Sequence, residues 1–187
     1  IFKLNGAVWE EQQKIVPSDR ASSDGFGFSV ACDNNRLVIG ARQEDEDETG
    51  ENTLFNAGSA YIFELDGEVW SEQQKIVASD RAEFAQFGND LAVSGDLILV
   101  AAEGANSNIG ACYLFEWDAG NWIETQILTS SDGSAQDKFG SSVAMDDDYI
   151  IVGASQEDED QNGENTQLSA GSAYIFDLGL DGDWTQT

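Results

Sequence analysis

The chain has 187 residues, 41% of them apolar, enough to enclose a core within one domain. Eight Lys and Arg stand against 36 Asp and Glu, a formal charge of −28 that repels nucleic-acid phosphates and anionic bilayers and favours cations or basic partners. With no histidine in the sequence, a Ser-His-Asp triad, a histidine general base and His-ligated zinc are excluded by inventory, and no run reaches the ~18 apolar residues of a membrane span.

In chain order, residues 1–16 (IFKLNGAVWEEQQKIV) read as the end of one strand and a complete second one. Residues 26–79 then give four strand-like runs, A to D: FGFSVACD, RLVIGA, GSAYIFEL and VWSEQQKIV. The same series returns over 87–128, and over 139–187 it returns as A, B, C and the start of D. Trp9, Trp70, Trp122 and Trp184 mark the repeat at intervals of 61, 52 and 62 residues, as do Phe26-Gly27, Phe87-Gly88 and Phe139-Gly140 at 61 and 52. Asn34-Asn35, Gly95-Asp96 and Asp146 to Asp148 are placed for tight A-to-B turns, and Asp66-Gly67 for a C-to-D turn. The B runs are apolar throughout, as strands covered on both faces are, while D carries Gln, Glu and Lys and is read as outermost. No stretch keeps a capped 3.6-residue period, so the chain is all-β. Repeated four-stranded antiparallel units of about 50 residues are the signature of β-propeller blades, here three blades' worth of strands in a single region spanning 1–187. Because the chain opens at Ile1, it is read as part of a longer polypeptide or of a multi-chain assembly.

The series FG, SVA, a short turn, an apolar run ending in GA, then GSAYIF and a Trp-bearing outer strand resembles the FG-GAP repeat, the blade of integrin α-subunit propellers and of many bacterial surface and secreted proteins. The resemblance implies a propeller at the cell surface or outside the cell, without catalysis of its own. Integrin-type repeats carry a DxDxDG calcium loop between A and B. Here that hairpin is shortened to CDNNR, SGD and MDDDY, so the loop does not transfer to Asp33, Asp96 or Asp146. The bacterial repeats that place an ED-rich insertion between B and C are more similar.

That insertion occurs twice, QEDEDETGENT at 43–53 and QEDEDQNGENT at 156–166, and is missing from the middle unit. Alternating strand directions put the B-to-C and D-to-A loops at one rim, and the D-to-A loops bring acids of their own. The converging set is Asp19, Asp24, Glu44, Asp45 and Asp47 in the first unit, Asp80 in the second, and Asp132, Asp137, Glu157, Asp158 and Asp160 in the third. So many carboxylates in a partly dry site repel one another by several kcal/mol unless a cation neutralises them. Calcium, with about six to eight oxygen ligands and tolerant geometry, is the expected cofactor, and Gly50 and Gly163 are placed to turn the loops inward. The alternative is that the loops are solvated and serve solubility.

The repeated Trp and Phe residues are expected in the core. Trp117, outside the repeat pattern, is the candidate exposed contact for a ligand. Cys32 and Cys112 suit either two thiols or one disulfide. The reading that follows is a non-enzymatic, calcium-stabilised, extracellular structural or adhesion module. Its N-terminal D strand is available to pair with the third blade of another copy, giving a homo-oligomeric ring or a filament. The competing reading is a propeller that binds a glycan or protein ligand through one loop rim.

Overall fold

The computed structural model describes residues 1–160, 162, 164 and 166–187. Strands β1 (Phe2–Asn5) and β2 (Val8–Glu11) form a hairpin. Three four-stranded antiparallel sheets follow. The first holds β3 (Val30–Asp33), β4 (Arg36–Ala41), β5 (Ser59–Asp66) and β6 (Val69–Ile76). The second holds β7 (Leu91–Ser94), β8 (Leu97–Ala102), β9 (Ala111–Asp118) and β10 (Asn121–Leu128). In the third are β11 (Phe139–Met145), β12 (Tyr149–Ala154), β13 (Ser172–Leu178) and β14 (Trp184–Gln186). Strand order within each sheet follows the sequence, and the first strands β3, β7 and β11 pack on one another. The sheets are therefore blades stacked side by side, an all-β propeller architecture with the A strands innermost.

Apolar alternation divides each blade between two neighbours. In β8, Ile98, Val100 and Ala102 face the first blade while Leu99 and Ala101 face the third, and all five are buried. Every blade carries the same aromatic triplet, with Phe26, Phe87 and Phe139 each set edge-on at 5.4 Å to a tyrosine of their own C strand: Tyr61, Tyr113 and Tyr174. A third ring, Phe63, Phe115 or Phe176, completes it. Burying one such side chain is worth about 1.5–3 kcal/mol, so these wedges dominate blade stacking.

Glycine sets how close the blades come. Gly58 bridges Phe87 and Gly110 bridges Phe139 in short parallel contacts, and a Cβ on Gly58 would lie 2.1 Å from the Phe87 carbonyl oxygen. A Cβ on Gly40 would meet the Gly88 carbonyl at the same distance. Gly40, Gly58, Gly88 and Gly110 are thus places where backbone of one blade touches backbone of the next.

Polar staples cross the same boundaries. Gln74 lends its amide to the backbone of Trp122, accepting from the N–H at 2.8 Å and donating to the carbonyl at 2.9 Å. Gln13 does the same to Trp70, and Gln126 to Trp184. One inserted residue makes this possible: in β6 the register shifts so that Glu72 opposes Phe63 but Gln74 opposes Ile62, leaving Gln73 as a bulge. Thr125 plays that part in β10. The bulge turns Gln74 toward the next blade and Lys75 back toward Tyr61.

Some features differ from the sequence expectation. Strands β3 and β7 start after the FG pair, because the Gly27 and Phe28 N–H groups both reach the Gly40 carbonyl, and those of Gly88 and Asn89 the Ala101 carbonyl, in a bend rather than a ladder. A single turn over Ala105–Asn108 replaces the acidic insertion in the middle blade, with Asn106 and Ser107 in the left-handed region. Trp122 and Trp184 are buried as expected, but Trp9, on the two-stranded hairpin, is 66% exposed. Cys32 is exposed and Cys112 buried, and both are free thiols.

Replacing Gln74 by Ala strands a buried N–H and carbonyl of the neighbouring blade. It is expected to cost about 1–3 kcal/mol in urea unfolding, against a near-zero effect for Gln73→Ala at the exposed bulge.

Candidate functional site

The B-to-C and D-to-A loops do share a rim. One hydrogen bond joins them in each blade, Gln43 N–H to the Asp24 carbonyl, Gly104 to Ala85, and Gln156 to Asp137, all at 3.1 Å. The Ser-Asp pair of each D-to-A loop then works across the blade boundary. Asp19, Asp80 and Asp132 accept the hydroxyl protons of Tyr61, Tyr113 and Tyr174 at 2.9, 2.7 and 2.8 Å. Ser18 and Ser79 donate backbone and hydroxyl protons to Glu72 and Glu124, while Ser131 bonds Gln186 in both directions.

In the first blade the neutralising cation is a side chain. Lys75 Nζ lies 2.7 Å from Asp19 Oδ2 and 3.2 Å from Glu44 Oε1. Both the ammonium and Glu44 are almost entirely buried, at 6% and 1% side-chain exposure. Tyr61 reaches Glu44 Oε2 as well, at 3.1 Å. Burial works to raise the Asp19 carboxyl, yet the bonds from Lys75 and Tyr61 hold it below the usual aspartate range. Glu44 goes the other way: burial and its contact with Glu46 push its pKa up, against the pull of Lys75. Asp24 is also raised, by burial and then by the Glu44 and Asp19 charges, although the Ala21 N–H bonds its Oδ2 at 2.6 Å.

The third blade has the same carboxylates in another arrangement. Glu157, 2% exposed, accepts from the Ser172 hydroxyl at 2.6 Å and the Glu159 N–H at 2.9 Å; burial raises its pKa, but these bonds bring it below the ordinary value. Ser59, the counterpart of Ser172, keeps a buried hydroxyl without a partner among the described residues, because Glu44 has turned to Lys75. Asp132 and Glu157 line a cavity of about 330 Å³ together with Asp160, Tyr174 and Gln186. In the middle blade Ile127 opposes Tyr113 where Lys75 opposes Tyr61.

The remaining predicted acids fold their own loops. Asp47 Oδ1 accepts from the Thr49 N–H at 2.9 Å, the Thr49 hydroxyl at 2.6 Å and the Glu51 N–H at 3.0 Å, while Oδ2 takes the Asn52 amide; these bonds, the Thr49 and Asn52 side chains foremost, hold its carboxyl well below the usual range. Asp160 repeats the pattern toward Asn162 and Glu164. Asp45 and Asp158 accept from the Asn56 and Ser169 N–H groups, and Asp137 from that of Ser134. Gly50 adopts the left-handed turn expected of it; Gly163 lies outside the described residues. Arg81, absent from the sequence expectation, clamps the first insertion from the following loop by donating to the Asp45 and Asn52 carbonyls.

These oxygens do not fit a calcium ion in the first blade, where an ammonium and N–H donors already take them. Among the described residues no three acidic side chains gather to hold one. Trp117 lies at the end of the blade away from this rim, 36% exposed and tilted against Trp122 at 5.5 Å, so it covers a core ring.

With Phe-Gly, Gly-Ala and Gly-Ser-Ala seen as blade contacts, the repeat can be set beside known families. The FG-GAP repeat profile matches residues 9–63, 70–115 and 122–176. The chain belongs to the FG-GAP repeat family. Each FG-GAP match begins at the outer-strand tryptophan of one unit and ends in the C strand of the next, so the family repeat runs across a blade boundary. No curated protein matches this FG-GAP chain.

Lys75→Met leaves Asp19 and Glu44 without their ammonium and is expected to cost about 1–3 kcal/mol at neutral pH. The sign with pH follows from the shifts. The depressed Asp19 stabilises the wild type above the ordinary aspartate pKa, and that contribution fades as pH falls through the folded value. Without Lys75 both carboxyls are raised, so the variant gains stability on acidification. Its deficit should shrink from pH 8 to pH 5 in denaturant titrations, and adding Glu44→Gln should recover most of it.

Proposed function

We propose that the chain is a non-enzymatic structural or adhesion module of the extracellular or cell-surface type. The observation that carries this reading is the use made of the rim acids. Asp19, Asp80 and Asp132 latch a loop to the tyrosine of the blade it leads into, and Asp45, Asp47, Asp158 and Asp160 accept the N–H groups of their own insertions. Carboxylates engaged in this way stiffen a surface and are poorly placed for general acid or base work, which needs a group free to take or give a proton. The extracellular assignment is supported by membership of a family common on surface and secreted proteins. Among the described residues no helix is long and apolar enough to cross a membrane.

Calcium belongs to this reading at the third blade. There Asp132 and Glu157 border one cavity with no lysine among the described residues between them, and an ion would have to draw carboxylates together, since no three are gathered for it. Assembly by strand exchange belongs to it as a competition, in which β2 of a second copy contends with β14 for the edge of β13, where Trp184 pairs with Leu178.

Thermal unfolding in EGTA, in calcium chloride and in sodium chloride of equal ionic strength tests the ion, and sedimentation of the same samples tests assembly. A calcium-specific rise in Tm that disappears in Asp132→Asn is expected; equal rises in both salts would reduce calcium to screening. The scaffold reading itself fails if the wild type hydrolyses a glycoside and Glu44→Gln or Asp132→Asn abolishes turnover without changing Tm.

A further inference from the structure

Among the described residues the rim carries an exposed aromatic pair. Phe55, in the first acidic insertion, and Phe84, in the loop entering the second blade, are each 53% exposed and meet edge-to-face at 5.4 Å with ring planes 73° apart. The pair is held from below by the backbone. Phe84 N–H donates to the Phe55 carbonyl at 2.8 Å and Gln86 N–H to the Asn56 carbonyl at 3.1 Å. Gly104 packs so close to the Phe84 carbonyl that a Cβ there would lie 1.9 Å from it.

Phe84 also has φ of +63°, a left-handed conformation in which a bulky aromatic is strained. The equivalent left-handed positions of the other two loops are Ser23 and Gln136, short or polar residues suited to solvent. A polar residue serves at this position in the other two loops, so the turn does not require a phenylalanine, and its edge-to-face contact with Phe55 leaves both rings half exposed. An exposed, backbone-anchored aromatic pair in a strained loop is the mark of a contact surface.

The surroundings select the occupant. Exposed Glu83 precedes Phe84, exposed Glu48 and Glu51 lie on the insertion that bears Phe55, and the chain carries −28 overall. Rings at 73° form no flat platform for a pyranose, and phenylalanine offers no hydroxyl or N–H to a sugar. They do present faces to a guanidinium or ammonium, an interaction the protein already makes internally, with Arg42 over Phe28 at 3.6 Å and Arg36 over Trp122 at 4.4 Å.

We propose that Phe55 and Phe84 form a docking point for a basic protein segment, one that sets an Arg or Lys beside an apolar side chain against this acidic rim. The proposal rests on the adhesion reading and names the chemistry of its partner.

The test is fluorescence anisotropy at about 0.15 M salt with two labelled peptides of equal charge, one alternating Arg with Leu and one alternating Arg with Gly. The wild type is expected to bind the Arg-Leu peptide about tenfold more tightly. Phe55→Ser with Phe84→Ser should erase that preference while leaving weak, salt-sensitive binding of both. Phe84→Ser alone copies the residue at Ser23, so its Tm should stay level or rise. Equal affinities for the two peptides, no binding of either, or a preference that survives in a folded double variant would overturn the proposal. So would displacement of the Arg-Leu peptide by neutral oligosaccharides, which would make the site a glycan reader. Loss of the peptide preference with Tm and sedimentation unchanged would touch this docking point alone and not the scaffold.

Discussion

The blades of this protein are held at contact distance by glycines that leave no room for a side chain. Where Gly58 meets Phe87, Gly110 meets Phe139 and Gly40 meets Gly88, backbone lies on backbone, and only that proximity brings the Gln and Ser side chains of one blade within bonding reach of the next. Burial of the Phe and Tyr wedges supplies the larger free energy, but it is not directional. The staples add about 1 kcal/mol each and fix the angle. The conspicuous letters of the repeat are thus contact points between units more than features of any one unit.

A charge of −28 opposes compaction, and the rim shows how the fold accommodates it. Most of the rim acids named above end up facing an N–H, a tyrosine hydroxyl or, at Asp19 and Glu44, the ammonium of Lys75. The two long insertions reach that end by different routes. Glu44 is committed to a lysine and carries a raised pKa; Glu157 is committed to Ser172 and carries a lowered one. Nearly identical loops therefore differ in bonding partner because of the residue opposite the C-strand tyrosine, while burial and Glu46 raise Glu44 against the pull of that lysine.

Much of this was legible in the sequence. Periodicity gave the blades, their order, the outer position of the D strands and the shared rim, and it included Asp19, Asp80 and Asp132 among the rim acids without separating them from the others. The Coulomb argument asked for a cation beside Asp19 and Glu44, and the ammonium of Lys75 stands there. Its identity was hidden because plain alternation along VWSEQQKIV puts Lys75 on the wrong face; the bulge at Gln73 reverses the phase, and nothing in the composition of that strand announces it. Tyr61, Tyr113 and Tyr174 were visible only as anchors of the repeat, since their hydroxyl partners lie 33 to 42 residues away. The Phe55–Phe84 pair escaped for a similar reason: its members belong to loops of neighbouring blades and meet only once those blades are stacked.

Arg81 ties these threads together. It belongs to the loop that enters the second blade, yet its guanidinium grips the carbonyls of Asp45 and Asn52 in an insertion of the first. The bonded unit is accordingly offset by half a period from the unit one counts along the chain: latch, staple and clamp all lie on the seam between sheets. An evolutionary duplication that copied whole seams would yield a working joint at once, whereas one that copied whole sheets would have to build each joint anew.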